Sequence, residues 1–321
     1  DNTVTYDTLK ERLDAEHQEL SSQLADKVSK DEVKVSIREF GAKGDGVTND
    51  YDAFVEAINS EKAIYFPKGN YIVDGQLEFK ALKTMWEGEN WLETIIDFKT
   101  DNITCILANN VTDNKALTFG SIKNLTLRGL GKEFNQTGID TGRYMYLFDR
   151  VRFSGFKVAT GISGTFGYIE KCYYENNHDG VLLKIPDGLT LTYVMTMLHL
   201  KNTEFMRNTG RCVTNNNGEA GYPTVVGLEI NGCGFEQSGK ALEFRKLINF
   251  SMSNSWFEGN TAKPTLPKNS ATLINNHYEP GQDIEWLIES PQYARGTGGA
   301  SILDKGGDVS FKTIKMQRFN N

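Results

Sequence analysis

A three-residue unit that ends in an aromatic residue recurs along the second half of the chain. Its first residue is small, its second is variable, and polar turn residues follow the aromatic one. The aromatic positions are 21, 31, 30, 22 and 21 residues apart. A period of about 21 to 22 residues with insertions is typical of a parallel β-solenoid, whereas a β-sandwich would not keep this spacing. The units are Val151–Phe153, Cys172–Tyr174, Thr203–Phe205, Cys233–Phe235, Ser255–Phe257 and Asn276–Tyr278.

The same units predict which side chains point outward. Successive side chains of a strand lie on opposite faces, so inward aromatic residues place their neighbours outside and Cys172 and Cys233 inside. Two outward rows result, one before and one after the aromatic column. The first row is Arg152, Tyr173, Glu204, Gly234, Trp256 and His277; the second is Ser154, Glu175, Met206, Glu236, Glu258 and Glu279.

The first 33 residues have a different pattern, polar and free of Gly and Pro. Leucines at positions 9, 13, 20 and 24 recur at helical spacing, although Glu16 and His17 interrupt the stripe. A helix of this length needs a partner to be stable. Two interpretations stay open: a helix packed on its own domain, or a short parallel coiled coil that joins several chains.

A strand, a glycine-rich turn and a helix are predicted next. Val35, Ile37 and Glu39 alternate as at a strand edge, and Gly41, Gly44 and Gly46 suit turns with positive φ. Asn49 or Asp50 is expected to cap a helix that buries Phe54, Val55 and Ile58. The glycine spacing fits neither a phosphate-binding loop nor a dinucleotide fingerprint.

This region carries a family resemblance. The segments FGAKGDGVTND, DAFVEAI and AIYFPKGNYIV, with Thr94-Ile95-Ile96 after them, resemble the opening of the pectate-lyase-3 family. The resemblance implies an all-β, right-handed parallel β-helix with an N-terminal capping helix, as in bacteriophage tailspikes and tail fibres. The resulting domain prediction is a helix over 1–33, a cap over 34–70, a β-helix over 71–290 and C-terminal strands over 291–321.

The resemblance also implies partners and a location. A tailspike-like chain is expected to form a homotrimer, to contact other tail or baseplate proteins through its N-terminal helix, and to bind a bacterial cell-surface polysaccharide. Its expected location is the virion tail, after assembly in the host cytoplasm.

Composition narrows the choice of ligand. The 321 residues carry a net charge of −7, which argues against nucleic acid as a partner and favours neutral or amine-bearing glycans. The apolar runs are too short for membrane insertion. Four cysteines without a CxxC motif are expected to be buried free thiols, and no cofactor or metal is predicted.

The two outward rows supply the candidate chemistry. Aromatic side chains can stack on sugar rings, and paired carboxylates on rungs about 4.8 Å apart can act as acid and base in glycoside hydrolysis. A cluster of Glu175, His178 and Asp179 is a weaker alternative, and Trp91 is expected at the cap. The function stays open between a glycoside hydrolase, a non-enzymatic glycan-binding adhesin and a structural tail-fibre component. The predicted catalytic residues are Glu236, Glu258 and Glu279, and the predicted substrate-binding residues are Tyr173, Glu175, Glu204, Trp256 and His277.

Overall fold

A computed structural model describes most of the chain between residues 34 and 303. The predicted helix over 1–33 lies outside the described residues, as does nearly all of 291–321. No helix in the described part of the chain combines the length and apolarity needed to cross a membrane. The described residues are 34–79, 83–108, 119–142, 145–185, 194–216, 223–267, 271–287 and 301–303.

The chain winds into a coil whose rungs contribute parallel strands to three faces, which we call the first, second and third sheets. Two long strands, β9 (Phe119–Arg128) and β11 (Met145–Ser154), turn a corner and belong to both the first and the second sheet. The predicted parallel β-helix is therefore confirmed.

The strands of each sheet follow one another along the axis of the coil. The first sheet contains β1 (Val35–Ser36), β3 (Ile64–Phe66), β6 (Lys83–Gly88), β13 (Gly167–Glu170), β16 (Val194–Lys201), β19 (Thr224–Asn231), β22 (Leu247–Ile248), β23 (Phe250–Ser253), β26 (Ala271–Ile274) and β29 (Ser301–Leu303). The second contains β2 (Asp45–Asn49), β4 (Gly69–Val73), β7 (Thr94–Phe98), β14 (Tyr173–Glu175), β17 (Glu204–Met206), β20 (Gly234–Glu236), β24 (Trp256–Glu258) and β27 (His277–Tyr278). The third contains β5 (Leu77–Glu78), β8 (Thr104–Ala108), β10 (Thr137–Thr141), β12 (Val158–Ile162), β15 (Asp179–Leu183), β18 (Arg211–Thr214), β21 (Lys240–Glu243), β25 (Thr265–Pro267) and β28 (Glu285–Leu287).

The predicted aromatic column lies inside the second sheet. Phe205 and Phe235 stack with ring centroids 5.1 Å apart and planes 8° from parallel, and Phe235 continues onto Phe257 at 4.9 Å. The same stacking links Phe153 to Tyr174 and Phe257 to Tyr278. Since each ring covers the next, the column removes large apolar areas from water and fixes the register of the second sheet.

A ladder of buried polar side chains crosses the corner between the second and third sheets. Asn208 donates from Nδ2 to the carbonyl of Tyr174 at 2.8 Å and accepts from the backbone N–H of Asn177 at 3.1 Å. On later rungs Ser238 accepts from the N–H of Asn208, and Asn260 accepts from the N–H of Ser238. These bonds satisfy backbone groups that the turn would otherwise leave unpaired.

The corner between the first and second sheets needs left-handed backbone. Residues such as Asn202, Gly232 and Asn254 occupy it with φ between 49° and 64°. Asn and Gly tolerate this conformation better than other residues, which explains their recurrence before the predicted units.

Helix α1 (Tyr51–Asn59) closes the N-terminal end of the coil, after a short 3₁₀ helix at Ile37–Phe40. Phe54 is fully buried against Phe66 and Trp86, with ring centroids 5.4 and 5.5 Å away. Asn49 accepts from the N–H of Tyr51 at 3.1 Å. Asp50, the alternative cap, accepts from the N–H groups of Lys43 and Gly44 instead.

The longer rung spacings have one structural origin. The extra residues fall between the third and first sheets, from Leu183 to Val194 and from Thr214 to Thr224. The second sheet therefore keeps its register through both insertions.

The four cysteines are buried as predicted, and burial raises the pKa of the Cys172, Cys212 and Cys233 thiols to about 12.

Candidate functional site

The outer surface of the second sheet carries the two predicted rows in register. In the first row each residue is the register partner of the next one on the adjacent strand. The pairs are Tyr173–Glu204, Glu204–Gly234, Gly234–Trp256 and Trp256–His277. In the other row the pairs are Glu175–Met206, Met206–Glu236 and Glu236–Glu258. The register therefore aligns these members of the two predicted rows on adjacent strands, although Glu175 is only 5% exposed, and their roles stay predictions.

Glu204 has the most perturbed carboxyl group of this surface. Burial, followed by the nearby charge of Glu236, raises the pKa of Glu204 from 4.5 to about 7. Its Oε1 is buried without a hydrogen-bond partner. A carboxyl group in this state holds its proton near neutral pH and is able to donate it.

Gly234 makes room for that carboxyl group. A Cβ atom at position 234 would lie 2.1 Å from Glu204 Oε2 and 2.7 Å from Oε1. The carboxyl group of Glu204 on β17 therefore lies over the backbone of Gly234 on the following rung. Gly234 belongs to β20, the strand that also carries Glu236.

Aromatic side chains lie on both sides of Glu204. Tyr173 precedes it in the row, and the rings of Tyr173 and Trp91 are 6.1 Å apart. Burial and the charges of Glu204, Glu175 and Glu236 raise the pKa of Tyr173. Trp91 lies in the turn before β7, so it reaches the second sheet instead of serving the cap alone.

Glu175 is held by two arginines. Its Oε1 accepts from Arg152 Nε at 3.0 Å, and its Oε2 lies 3.3 Å from Arg207 Nη2. Glu175 is only 5% exposed, whereas about a third and a half of the two arginine side chains are exposed, 35% and 49%. Glu175 thus positions Arg152 and Arg207, and the arginines are the groups that face solvent.

The C-terminal rungs carry a second aromatic group. Trp256 stacks on His277 with ring centroids 3.9 Å apart, and its Nε1 donates to Glu258 Oε2 at 2.9 Å. Trp256 is 42% exposed. The hydrogen bond to Glu258 fixes the orientation of the indole ring.

The alternative cluster of Glu175, His178 and Asp179 is divided by a corner of the coil. Asp179 begins β15 in the third sheet, where its Oδ2 lies 2.5 Å from Arg211 Nη2. His178 Nδ1 is 3.4 Å from Asp179, while Glu175 bonds to Arg152 and Arg207. The cluster is therefore two separate ion-paired sites.

Sequence reasoning missed three contributions to this surface. Arg152 was assigned to the outward row without a role, Arg207 lies in the turn after the row, and Trp91 comes from a distant segment. The period identifies the positions of Arg152 and Arg207 but not their pairing with Glu175, and no periodic signal identifies Trp91. Among the described residues, His, Cys, Asp and Glu form no group of three or more that could hold a metal ion.

Comparison with known proteins supports the fold. Residues 34–95 match the family model described as rhamnogalacturonase A/epimerase, pectate lyase-like. This match covers the N-terminal cap and the first rungs.

Curated relatives come from bacteriophages. The chain is 24% identical over 258 residues to the capsule K30/K69-specific depolymerase of Klebsiella phage K64-1. It is 32% identical over 144 residues to the preneck appendage protein of Bacillus phage PZA. These alignments cover 74% and 42% of this chain but only 33% and 16% of the relatives, so the chain spans a minor part of each.

Solved structures share the architecture. Pantoea stewartii WceF, a glycan biofilm modifying enzyme with a tailspike-like parallel β-helix, matches with a TM-score of 0.58 and 14% identity, over 90% of this chain and 45% of that one. The N-terminal fragment of gene product 12 from bacteriophage phi29 matches with a TM-score of 0.50 and 18% identity, over 86% and 56% of the two chains.

Fold and comparisons together define the class. The chain is a parallel β-helix whose residues 34–95 match a pectate lyase-like family model, and the predicted resemblance is confirmed to this extent. The curated relatives described above are a capsule-specific depolymerase and a preneck appendage protein of bacteriophages.

Proposed function

We propose that this chain is the glycan-cleaving β-helix of a phage tail protein and that it hydrolyses a bacterial surface polysaccharide. One observation carries the proposal: Glu204 is a partly buried carboxyl group with a pKa of about 7, placed beside Glu236 on an outward face that also presents aromatic rings. The name of the Klebsiella phage relative, a capsule depolymerase, supports the substrate class.

Glu204 is the proposed general acid and Glu236 the proposed base. Glu204 gives its proton to the glycosidic oxygen as the bond to the anomeric carbon breaks. Glu236 takes a proton from the water whose oxygen bonds to that carbon. The Glu204 carboxyl group lies over Gly234, and the Cα atoms of Gly234 and Glu236, two residues apart on one strand, are roughly 6 to 7 Å apart. Carboxyl groups ~6.5–9.5 Å apart leave room for the attacking water and give inversion, whereas ~5–5.5 Å gives retention, so the stereochemistry of the product measures the separation of this pair.

The surrounding side chains are proposed to bind the glycan. Tyr173 and Trp91 lie on one side of Glu204, and Trp256 with His277 lies on the other. Their rings offer apolar faces and edges to sugar rings, and Glu258 and Glu279 offer acceptors to hydroxyl groups. The initially predicted catalytic roles of Glu258 and Glu279 become binding roles in this proposal.

Cleavage is tested with capsular and exopolysaccharides purified from a panel of bacterial strains. Size-exclusion chromatography and reducing-end release should show shorter products from at least one polymer. Glu204→Gln and Glu236→Gln should each lower the rate by about 10²- to 10⁴-fold, as expected for loss of a general acid or base. In isotopically labelled water the new reducing end should carry the label, which separates hydrolysis from lyase chemistry.

Glu170→Gln is the control, because Glu170 carries an exposed carboxylate that pairs with Lys171 on the first sheet, outside the proposed site. It should cleave at the wild-type rate. Full activity of Glu204→Gln would rule out the assigned acid.

Binding without cleavage is the second candidate function. It is favoured by the hydrogen bond from Trp256 to Glu258 and the stack on His277, which make a rigid recognition surface that needs no proton transfer. Retention of a polysaccharide on the wild-type chain without fragments would favour this adhesin function. Trp256→Ala should weaken glycan binding in both cases.

The proposed setting is the virion tail, with three chains joined through residues 1–33 and with other tail proteins bound there. Analytical ultracentrifugation should give three times the chain mass for the full sequence, and a monomer after removal of residues 1–33. A monomer in both cases would contradict the trimer.

A further inference from the structure

The N-terminal half of the second sheet presents exposed cationic side chains. Asp97 is 3% exposed and pairs with Arg128 at 2.7 Å and Lys99 at 2.8 Å. On later rungs the buried Glu175 pairs with Arg152 and Arg207. In both places one buried carboxylate holds two cations, so four basic groups face two acidic ones.

The C-terminal half has the opposite charge. Strands β20, β24 and β27 have the sequences GFE, WFE and HY, which contain no lysine or arginine. Glu236 and Glu258 lie here, and Glu204 lies one rung earlier on β17, the strand that Arg207 follows. The face is therefore positive around Asp97 and Glu175 and negative around Glu236 and Glu258, although the whole chain has a net charge of −7.

Arg207 has the geometry to meet a ligand. Its side chain is 49% exposed, and its Nη2 and Nε make long contacts of 3.3 and 3.4 Å to Glu175 and Asn176. A guanidinium group has five N–H donors, so Arg207 keeps donors for a further acceptor. Tyr173, which lies beside Glu204 in the row, is the neighbouring aromatic surface.

We propose that Arg152 and Arg207 form a subsite for a carboxylate-bearing sugar, on the positive side of the bond that Glu204 cleaves. Guanidinium groups bind carboxylates through paired, charge-assisted hydrogen bonds. The buried Glu175 holds both arginines without using all their donors. This inference rests on the proposed function for the position of the cleaved bond, and it replaces the preference for neutral or amine-bearing glycans that net charge alone suggests.

The test compares native acidic capsular polysaccharides with the same polymers after chemical reduction of their carboxyl groups to alcohols. Binding is measured by titration calorimetry with the Glu204→Gln chain, which keeps the polymer intact. We expect the native polymer to bind about tenfold or more tightly than the reduced one, the difference that a charge-assisted hydrogen bond provides. Arg207→Gln should abolish this difference by weakening only the native polymer.

Glutamine can replace Arg207 without backbone strain, because Gln237 occupies the equivalent turn position one rung later. The φ of Gln237 is 48°, close to the 55° of Arg207. Arg207→Lys should give an intermediate loss, since it keeps the charge without the fork. Arg245→Gln is the matched control: Arg245 is 42% exposed and pairs with Glu243 on the third sheet. It should leave the binding of both polymers unchanged.

Each outcome has a separate meaning. Equal binding of native and reduced polymers, or an equal loss for both in Arg207→Gln, would overturn the carboxylate subsite while hydrolysis by the wild-type chain stays intact. Carboxyl-dependent binding without cleavage of any polymer would overturn hydrolysis and support the subsite. Absence of binding to every native polymer would overturn both.

Discussion

At the scale of single residues, the site depends on a missing side chain. Gly234 stands in an outward row that elsewhere carries Arg, Tyr, Glu, Trp and His. Without a Cβ there, the carboxyl group of Glu204 lies against the backbone of the next rung and is partly removed from water. Burial then favours its protonated form, and the charge of Glu236 adds to the effect.

Gly234→Ala tests this dependence. The added methyl group would displace the Glu204 carboxyl group toward solvent, so its pKa should fall from about 7 toward 4.5. If Glu204 is the acid, the upper pH limit of kcat/KM should move down by about one unit or more. Gly161→Ala is the control, since a Cβ there meets only ordinary contacts at 3.6 Å or more. An unchanged pH profile in Gly234→Ala would contradict the proposed coupling.

The same pKa shift predicts a pH-dependent stability. The folded-state pKa of Glu204 is raised from 4.5 to about 7, so the folded protein binds this proton more tightly than the unfolded chain does. The free energy of unfolding should therefore fall as the pH rises through this window. Glu204→Gln cannot ionise, so its stability relative to wild type should increase by about 1–2 kcal/mol between pH 5 and pH 8, after allowance for partial exposure. Urea denaturation at the two pH values measures the change, and a parallel shift of both proteins would contradict it.

At the scale of elements, the second sheet is specified twice, by the aromatic column and by the polar ladder at its corner. The aromatic column could be predicted from the sequence, because the spacing of the rings gives strand order, register and outward rows. The polar residues after each ring predict a turn but not the buried ladder that they form. The raised pKa of Glu204 depends on burial over Gly234 and on the charge of Glu236, both on the next rung. Trp91 reaches the second sheet from a turn that does not recur in the repeat. Local patterns carry neither kind of information, so the predicted rows contained the site without singling out its most perturbed group.

Phe235→Ala should destabilise the coil by about 3–5 kcal/mol, because it removes a fully buried ring from between Phe205 and Phe257 and leaves a cavity. Chemical denaturation measures the loss. Leu92→Ala, at a side chain that is 55% exposed, should change stability by less than about 0.5 kcal/mol. Similar effects in the two variants would argue against a continuous stacked column.

Asn208→Ala should cost about 1–3 kcal/mol for each buried group that it leaves unpaired. The affected groups include the carbonyl of Tyr174 and the backbone N–H of Asn177. Amide hydrogen exchange of Asn177 should accelerate in the variant while exchange in the third sheet near Leu242 stays slow. Unchanged protection of Asn177 would show that the ladder does not hold this corner.

At the scale of the whole molecule, one face concentrates the chemistry and the charge separation. An overall charge of −7 gives no hint of the exposed arginines around Glu175, because it averages over three sheets. Parallel stacking is what aligns the positive and negative halves along one axis, since equivalent positions of successive rungs recur about every 4.8 Å.

The two long connections both join the third sheet to the first, and the stacking of Phe205 on Tyr174 and Phe235 is the same as on rungs without them. Evolution is therefore free to lengthen or exchange these connections without disturbing the register of the second sheet. A lineage that follows a changing host coat would be expected to vary most there, and to leave the row of Tyr173, Glu204 and Trp256 intact.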